Sequence, residues 1–347
     1  MSIRPGPRII IAYKPGQLSN RLLQFATFIA FSERTGIPIL NLGFDEYADQ
    51  FDATRHDLLC RYPPRRSSVP PSRLLRQALY AAAYTTARAI VRLGYRSRRV
   101  RVVSPDWNER LLLDEAFARE IGDASVVFVQ GWRIFVPASV EGQECVGPPG
   151  GIEPEASLIR AFFRPAGDAE GTARDLVATA RRGCDRLVGV HIRQGDFLTD
   201  KNQGRYYYPT EQYVVKMREV IAAFPEDRVG FLVCSNVPQR PELFEGLPST
   251  FAGATPLVEQ LALSGCDQII GPPSSFSMWA AFMGRCQLHW IFDLNERIVP
   301  TSFRPFAPID QDEVAERYYG YANAKEGAPR PRHSSAPSAA ADRERTL

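Results

Sequence analysis

Three polar side chains close an apolar run in the middle of this chain of 347 residues: His191, Arg193 and Asp196. The run before them, Leu187 to Val190, is typical of a buried strand. Side chains alternate along a strand, so His191 and Arg193 are predicted to share a face while Ile192 turns into the core. A guanidinium fixed at a strand end can bind phosphate or carboxylate through two parallel hydrogen bonds. The alternative is structural, with Arg193 and Asp196 paired only to each other.

A second polar loop follows the first predicted strand of the chain and contains Gly16. The next helix is predicted to have Ser19 or Asn20 as its cap and to end at Gly36. A strand, a glycine-containing loop and a helix N-terminus place backbone N–H groups where they can bind an anion. Asn20 and Gln24 lie one turn apart on one helix face. No standard nucleotide fingerprint is present, so an ordinary turn is the alternative.

Three hydroxyls crowd the predicted N-terminus of a later helix: Ser274, Ser275 and Ser277, with Phe276 between them. Free N–H groups, the positive end of a helix and hydroxyls together suit a phosphate. Taken alone, the segment is better explained by plain N-capping through Ser274 or Ser275. However, all three polar loops follow predicted strands, and we therefore expect them to meet at one cleft between two α/β domains.

The elements that must position these loops are strands alternating with helices, which indicates an α/β fold. Predicted strands cover residues 8–13, 37–42, 125–131, 187–190, 229–235, 268–271 and 289–294. Further helices are predicted at 72–93, 155–163, 172–182, 211–224 and 258–263. The Gly- and Pro-rich segment 142–151 is the predicted linker, which gives domains at 1–150 and 151–321. Residues 322–347 lack a core-forming pattern and are predicted to be a disordered tail.

A basic insert covers residues 61–104, which contain eleven arginines and no Asp or Glu. The apolar stripe predicted for its helix consists of Leu75, Ala78, Leu79, Ala82, Ala89, Ile90 and Leu93, with Arg73, Arg76, Arg88 and Arg92 beside or opposite it. Three interpretations stay open: a solvated face, contact of residues 72–101 with an anionic membrane, or attraction of an anionic polymer. Aromatic residues are too sparse here for single-strand binding, which makes nucleic acid the weakest of the three.

Composition and residue spacing argue against a secreted protein, a membrane-spanning protein and a zinc protein. The apolar run near the N-terminus is too short for a secretory signal, and no apolar stretch is long enough to span a membrane. The six cysteines form no C-x-x-C pair, which predicts free thiols and no zinc site. The acidic residues at 310–312 lie beyond the last predicted strand and are discounted as metal ligands. These features predict a cytoplasmic protein without a zinc site.

Taken in order, the three loops resemble the motifs of the fucosyltransferase superfamily, and most closely those of the bacterial α-1,2-fucosyltransferase family, glycosyltransferase family 11. Gly16–Arg21 is similar to a G-x-L-G-N-Q loop, His191–Asp196 to H-x-R-R-G-D, and Pro273–Trp279 to N-S-S-F-S-W-W. Gly131–Arg133 is a weaker match to G-Y-x-Q. Gln194 stands where the central motif has its second arginine. Together these segments span most of residues 8–295.

The resemblance implies a GT-B fold, in which two Rossmann-like domains face each other across a cleft. It implies that the N-terminal domain holds a glycan acceptor and the C-terminal domain holds GDP-fucose. The implied reaction is an inverting, metal-independent transfer of L-fucose to an acceptor hydroxyl, in an α-1,2 linkage. The expected setting is synthesis of surface polysaccharide or lipopolysaccharide at the inner face of the plasma membrane.

The resemblance also assigns roles to the candidate residues. Arg193 is expected to neutralise the leaving diphosphate, and His191 to position the donor. Asp196 either holds Arg193 in place, the favoured role, or acts as general base. The predicted substrate-binding residues are Gly16, Asn20, Gln24, Ser235, Asn236, Glu259, Ser274, Ser275, Phe276 and Ser277.

Two rival functions remain at this stage. One is a related GT-B transferase that uses another nucleotide sugar, because the motifs are altered. The other is a non-enzymatic binder of an anionic polymer, which depends on the basic insert alone. Competition by GDP against UDP separates the first from a fucosyltransferase, and polymer binding that survives Arg193→Ala identifies the second.

Overall fold

The computed structural model describes residues 7–105, 111–131, 134–140, 143–146, 150–199 and 206–305. Within these residues the strands are β1 (Arg8–Ile11), β2 (Ile39–Asn41), β3 (Arg61–Tyr62), β4 (Val100–Val103), β5 (Leu111–Leu112), β6 (Val126–Val129), β7 (Ile134–Phe135), β8 (Pro137–Val140), β9 (Gln143–Val146), β10 (Arg186–Ile192), β11 (Val229–Ser235), β12 (Ser249–Phe251), β13 (Gln268–Gly271) and β14 (Gln287–Trp290). The α-helices are α1 (Leu18–Thr35), α2 (Asp52–Arg55), α3 (Arg73–Arg92), α4 (Glu115–Ile121), α5 (Ala156–Phe162), α6 (Ala169–Ala180), α7 (Gly195–Thr199), α8 (Thr210–Ala223), α9 (Pro256–Ser264) and α10 (Ser275–Gly284).

Two five-stranded sheets organise the described part of the chain. The N-terminal sheet has the order β3-β2-β1-β6-β4 and is parallel except for β3. The C-terminal sheet has the order β12-β11-β10-β13-β14 and is parallel throughout. With its first strand in the middle, this second order is that of a doubly wound nucleotide-binding sheet, whose ligand site lies at the carboxyl ends of the strands. The predicted α/β class is confirmed.

The central strand β10 forms because its residues suit burial on both faces. All its residues after Arg186 are buried, as is typical of a parallel strand covered by helices on each side. Gly189 permits close packing, since a Cβ there would lie 2.6 Å from the Leu263 side chain. The strand therefore fixes the position of the polar residues that follow Ile192.

The two halves share a hydrophobic core. Phe163 lies between them, with ring centroids 5.7 Å from Phe25 of α1 and 5.2 Å from Trp279 of α10. Arg160 of α5 adds a hydrogen bond from its Nε to the carbonyl of Phe282, at 2.8 Å. The N-terminal loop after β1 and the N-terminus of α10 are thus parts of one packed unit. The proposed domain boundary after residue 150 stays a prediction.

Several sequence-based boundaries need correction. Gln17, and not Ser19 or Asn20, is the N-cap of α1, whereas Gly36 ends it in the left-handed region as predicted. Part of the predicted linker is strand β9, which pairs with β8. The last strand begins earlier than predicted, at Gln287, because its register is set by pairing with β13. The predicted tail, residues 322–347, lies outside the described residues.

Helix α3 of the basic insert is confirmed, and the structure shows which of its faces is buried. The helix begins after Ser72, whose hydroxyl accepts a hydrogen bond from the Leu75 amide. Its buried residues are Arg76, Ala83 and Ala87, and not the predicted stripe. Arg76 can face inward because its guanidinium donates to three backbone carbonyls and pairs with Asp49. Most of the predicted stripe therefore lies on the outside of the helix.

No helix in the described segments is long and apolar enough to span a membrane.

Candidate functional site

Arg193 is held at the end of β10 by three hydrogen bonds. Its Nε and Nη2 donate to the two carboxylate oxygens of Asp196, at 3.2 and 2.5 Å. Its Nη1 donates to the hydroxyl of Ser274, at 3.1 Å. The guanidinium also lies over the ring of Phe197, at 4.6 Å from its centroid. The side chain is therefore fixed at the N-terminus of α10, and three of its five N–H groups are used.

Asp196 is the partner that orients Arg193. The hydrogen bonds from Arg193 keep the pKa of this carboxyl below its usual range. Asn236 supports it from the next strand, because its amide nitrogen donates to Asp196 at 3.2 Å. The Asn236 carbonyl oxygen in turn accepts from the backbone N–H of Gln194, at 2.9 Å. The loops after β10 and β11 are thus held together around an ionised carboxylate.

His191 is buried beside Arg193 and is neutral. Burial and the positive charge of Arg193 lower its pKa to about 3. Its ring stacks on Phe276 of α10, with centroids 4.9 Å apart. Its Nδ1 has no hydrogen-bond partner among the described residues. A neutral imidazole with a free nitrogen can bind a polar ligand group as a donor or an acceptor, according to its tautomer.

The three serines at the N-terminus of α10 have different positions, and only Ser277 is turned away from the expected site. Ser274 is the N-cap, and its hydroxyl accepts from the Phe276 amide at 3.2 Å. Ser277 is fully buried, donates to the Ser274 carbonyl and accepts from the indole N–H of Trp290. Ser275 is half-buried in the first helical turn. Because the Ser274 hydroxyl uses the Phe276 amide, the donors that the first turn leaves for a ligand are the backbone N–H groups of Ser275 and Ser277 and the Ser275 hydroxyl, whereas the Ser277 side chain fixes the helix.

Gln260 connects the N-terminal loop to this helix end. Its amide nitrogen donates to the Ser19 hydroxyl of α1 at 2.7 Å and to the Phe276 carbonyl at 3.2 Å. Both Ser19 and Gln260 are buried. The three predicted loops therefore meet, because Arg193 contacts the α10 N-terminus and Gln260 ties that N-terminus to α1.

The loop around Gly16 is shaped by Arg21. Gly16 has a φ of +45°, and a Cβ there would lie 2.5 Å from the Asn20 amide nitrogen. Arg21 donates to the carbonyls of Gly16 and Gly43, at 3.3 and 3.1 Å, and pairs with Glu46 at 2.9 Å. The loop thus has a single defined conformation with Asn20 half-buried at its end.

Gln24 faces inward from α1, since its amide nitrogen donates to the Gly131 carbonyl at 3.0 Å. Only Gly131 of the weak G-Y-x-Q match can be described, as residues 132 and 133 lie outside the described segments.

Ser235 and Gln194 belong to an amide network beside Arg193. Gln239 donates to the Ser235 hydroxyl at 3.0 Å and to the Gln194 side-chain oxygen at 3.1 Å. Gln194 donates to the Tyr208 carbonyl at 2.9 Å, and Thr210 donates to Gln239 at 2.7 Å. The Gln194 side chain is therefore held by hydrogen bonds within the protein. The arginine that the similar motif has at this position would add a positive charge.

Glu259 is a buried carboxyl in the first turn of α9, one residue before Gln260. Burial raises its pKa to about 7, against one hydrogen bond from the Ala254 amide at 3.2 Å. Because α9 follows β12, its first turn lies at the carboxyl edge of the C-terminal sheet, on the side of Arg193. A carboxyl with so few partners can accept hydrogen bonds from a ligand.

Sequence reasoning missed two residues that build the site, Gln239 and Gln260. Neither belongs to a motif, and their partners are distant along the chain. It also missed the contact of α3 with the loop after β1, where the Lys14 ammonium lies 4.3 Å from the Tyr80 ring centroid. The available signal was the pair Tyr80 and Tyr84, spaced one turn apart and stacked in the structure.

Within the described segments, no group of three or more His, Cys, Asp and Glu side chains is placed to hold a metal ion.

Comparison with solved structures identifies the fold of the chain. No protein-family model matches the chain, and no curated protein matches its sequence. Among solved structures, a mutant of FUT1 from Arabidopsis thaliana in complex with GDP matches with a TM-score of 0.54 and 13% identity, covering 87% of this chain and 74% of that one. The fucosyltransferase NodZ from Bradyrhizobium matches with a TM-score of 0.50 and 18% identity, covering 84% and 96%. The chain therefore has the GT-B-like fold of these fucosyltransferases.

Proposed function

We propose that this protein is an inverting fucosyltransferase, which transfers L-fucose from GDP-fucose to a hydroxyl of a glycan acceptor without a metal or other cofactor. The observation that carries the proposal is the fixed guanidinium of Arg193 between Asp196 and the α10 N-cap Ser274. It lies at the edge of the sheet where doubly wound folds bind nucleotides. The fold itself is shared with a FUT1 mutant in complex with GDP.

Arg193 is proposed to bind the diphosphate and to stabilise it as it leaves. Two of its N–H groups remain after those given to Asp196 and Ser274, and its contact with the N-cap Ser274 places the guanidinium at the start of α10, where first-turn N–H groups lack an intrahelical acceptor. The oxygen of an acceptor hydroxyl attacks the anomeric carbon from the face opposite GDP, and the bond between that carbon and the β-phosphate oxygen breaks. Negative charge grows on the β-phosphate oxygen, which leaves as part of GDP, and the proton of the acceptor hydroxyl is released to solvent. A fixed cation at this point contributes about 3 kcal/mol, roughly a hundredfold in rate.

The nucleoside end of the donor is assigned to Glu259. Its ionised carboxylate can accept hydrogen bonds from the ring N–H and the exocyclic amine of guanine, a donor pair that uracil lacks. Glu259 is buried and has one backbone donor, the Ala254 amide. A base without matching donors would leave the buried carboxylate unpaired, which is costly, so the site favours guanine over uracil. We assign Ser235 and Asn236, at the end of β11, to the same donor-binding surface.

His191 and Phe276 are assigned to positioning the donor. The neutral imidazole offers an unpartnered Nδ1, and its stacking on Phe276 fixes the plane of the ring. With its pKa lowered to about 3 by burial, the ring is a neutral imidazole at neutral pH and not an imidazolium that could act as a general acid. Asp196 is likewise assigned to orienting Arg193 and not to removing the acceptor proton, because its two oxygens are both engaged.

The acceptor side is assigned to the N-terminal half. Gly16, Asn20 and Gln24 lie on or beside the loop that Gln260 fastens to the donor side. We further propose an α-1,2 linkage and a role in surface polysaccharide or lipopolysaccharide synthesis at the cytoplasmic face of the membrane. These finer assignments rest on the motif resemblance of the three loops.

Calorimetry without added metal tests the donor. GDP-fucose, GDP-mannose and UDP-glucose are titrated into the wild type, Arg193→Ala and Arg228→Ala. Arg228 is the matched control, because it pairs with Asp185 at the opposite end of β10, at 2.8 Å. We expect selective binding of GDP-fucose that Arg193→Ala abolishes and Arg228→Ala preserves. A folded wild type that binds no guanosine nucleotide would overturn the proposal.

A transferase for a different nucleotide sugar is the second candidate. The observation that favours it is Gln194, whose side chain is committed to Tyr208 and leaves one positive charge fewer beside the diphosphate. Preferential binding of UDP-glucose in the same calorimetry would support this candidate.

A further inference from the structure

Helix α3 presents one face to the protein and leaves the other without a partner. Ala83 packs in a cluster with Ala12 and Leu42, and Arg76 is buried among backbone carbonyls. On the opposite side the residues are exposed over the full length of the helix. The unpartnered side carries much of the apolar stripe that the sequence pattern identified, including Leu75 and Leu93.

Large exposed apolar side chains concentrate on this helix and its ends. Leu74 and Leu93 are each 79% exposed, Tyr95 61% and Val91 56%. Single exposed apolar residues are ordinary, but six of the nine large ones among the described residues lie between Val69 and Tyr95. Such a cluster indicates a surface that meets another apolar phase.

The same segment is strongly basic. Three of its arginines already pair with acidic side chains of the protein. These pairs are Arg61 with Asp57, Arg76 with Asp49, and Arg101 with Glu120. The remaining arginines of the insert are exposed, and no ion pair among the described residues engages them: Arg65, Arg66, Arg73, Arg88, Arg92, Arg96, Arg98 and Arg99. No acidic residue lies anywhere in 61–104.

We propose that α3 and the segment up to Arg99 form a docking surface for an anionic lipid bilayer. The exposed leucines enter the boundary between headgroups and acyl chains, and the arginines beside them bind lipid phosphates. A nucleic acid would use the charge but would leave the exposed leucines in water. A neutral protein groove would cover the leucines but would leave eight arginines without counter-charges.

Docking in this orientation would bring the acceptor side of the protein to the membrane. The inner face of α3 contacts the loop after β1, because Lys14 lies over Tyr80 and Gln130 donates to the carbonyls of Tyr84 and Ala12. An acceptor glycan attached to a lipid would therefore lie next to the Gly16 loop. This last step rests on the proposed function, whereas membrane docking itself does not.

Vesicle flotation of the full chain tests the docking surface. The vesicles are phosphatidylcholine alone or phosphatidylcholine mixed with phosphatidylglycerol, each at low and high salt. We expect recovery with the anionic vesicles only, and a decrease in recovery as salt rises. Leu74→Ser combined with Leu93→Ser is expected to weaken partition at least about tenfold, since both side chains lose their apolar contacts.

A second variant tests the contribution of the arginines to membrane binding. Arg92→Gln, Arg96→Gln and Arg98→Gln together are expected to weaken partition by roughly a hundredfold at low salt, at about fivefold for each charge. The matched control is Val215→Ser with Arg218→Gln, which changes an exposed apolar and an exposed basic residue on α8 and should leave partition unchanged.

Three results would overturn the docking proposal: equal recovery with neutral and anionic vesicles, partition unaffected by both variants, or a wild-type dimer that the leucine variant converts to a monomer. The last result would assign the apolar face to a second copy of the chain. Calorimetric binding of GDP-fucose is measured on the same variants and should not change, so failure of docking and failure of the proposed activity are separate outcomes.

Discussion

The guanidinium of Arg193 and the hydroxyl of Ser274 lie 3.1 Å apart, and this hydrogen bond joins the end of β10 to the N-cap of α10. Each partner is also held from its own side, Arg193 by Asp196 and Ser274 by the Phe276 amide. The positive side chain of Arg193 is therefore fixed at a helix N-terminus, where backbone N–H groups lack intrahelical acceptors. Fixing both groups in advance is what gives electrostatic stabilisation its effect on rate.

Arg193→Lys tests the geometry of this clamp and not merely its charge. A lysine ammonium is a point charge and cannot span Asp196 in two parallel bonds while also reaching Ser274. We expect kcat for fucosyl transfer to fall by about a hundredfold, because roughly 3 kcal/mol of stabilisation at the leaving diphosphate is lost. Arg228→Lys, at the far end of β10, should retain kcat. Wild-type kcat in Arg193→Lys would show that a loose positive charge suffices.

Asp196→Asn separates an orienting role from general-base catalysis. The hydrogen bonds from Arg193 hold the pKa of Asp196 below its usual range, so the carboxylate stays ionised through the working pH range. We expect the variant to lose about tenfold to a hundredfold in kcat through looser placement of Arg193, with the same pH–rate profile as the wild type. If the fall in rate at low pH disappears in the variant and added formate restores kcat, Asp196 is instead identified as the general base.

The meeting of the loops after β10 and β13 could be predicted from the sequence, because parallel strands of one sheet bring their carboxyl ends to the same edge. Thus Arg193 and Ser274, which are distant along the chain, are in contact as expected. Boundaries of strands such as β11 and β13 were predicted correctly, since short apolar runs between polar loops define them well. Short edge strands such as β4 were missed, because Val100–Val103 lies in a segment dominated by arginine.

The contacts that no periodic pattern encodes could not be predicted. Gln260 lies within an ordinary helical sequence, and its role depends on Ser19, which belongs to the other half of the chain. The face of α3 that turns inward could not be chosen from the sequence, because an apolar stripe beside arginines suits both a packed face and a membrane-facing one. Arg76 faces inward because the carbonyls of Thr54 and Arg55 compensate its burial. Such partners become visible only in three dimensions.

Gln260→Met tests the bond between the two halves. Methionine has a similar volume but no N–H, so the buried Ser19 hydroxyl and the Phe276 carbonyl lose their donor. We expect the free energy of unfolding to fall by about 1–3 kcal/mol. Denaturant unfolding of Gln260→Met, Ser19→Ala and the double variant measures the coupling. Additive losses would mean that the hydrogen bond contributes nothing of its own.

Glu259 should make stability depend on pH with an unusual sign. Burial raises its pKa from 4.5 to about 7, so between these values the folded state binds a proton that the unfolded state does not. The contribution of Glu259 to the free energy of unfolding is therefore complete below pH 4.5. It decreases by roughly 3 kcal/mol as the pH rises towards 7. Thermal unfolding across this range should show the fall in the wild type and a smaller one in Glu259→Gln. Identical pH dependence in both proteins would exclude Glu259 as its source.

The same carboxyl should make donor binding release a proton. If ionised Glu259 accepts from guanine, GDP-fucose must displace the proton that the free protein holds below pH 7. We expect the dissociation constant to be about tenfold higher at pH 6 than at pH 8, because only about a tenth of the free protein is ionised at pH 6. GDP-fucose is the appropriate ligand, since its diphosphate is esterified at both ends and has no ionisation in this range. Calorimetry at pH 6 in two buffers of different ionisation enthalpy counts the protons. Glu259→Gln should bind weakly at both pH values and release none, whereas wild-type proton release in that variant would place the guanine elsewhere.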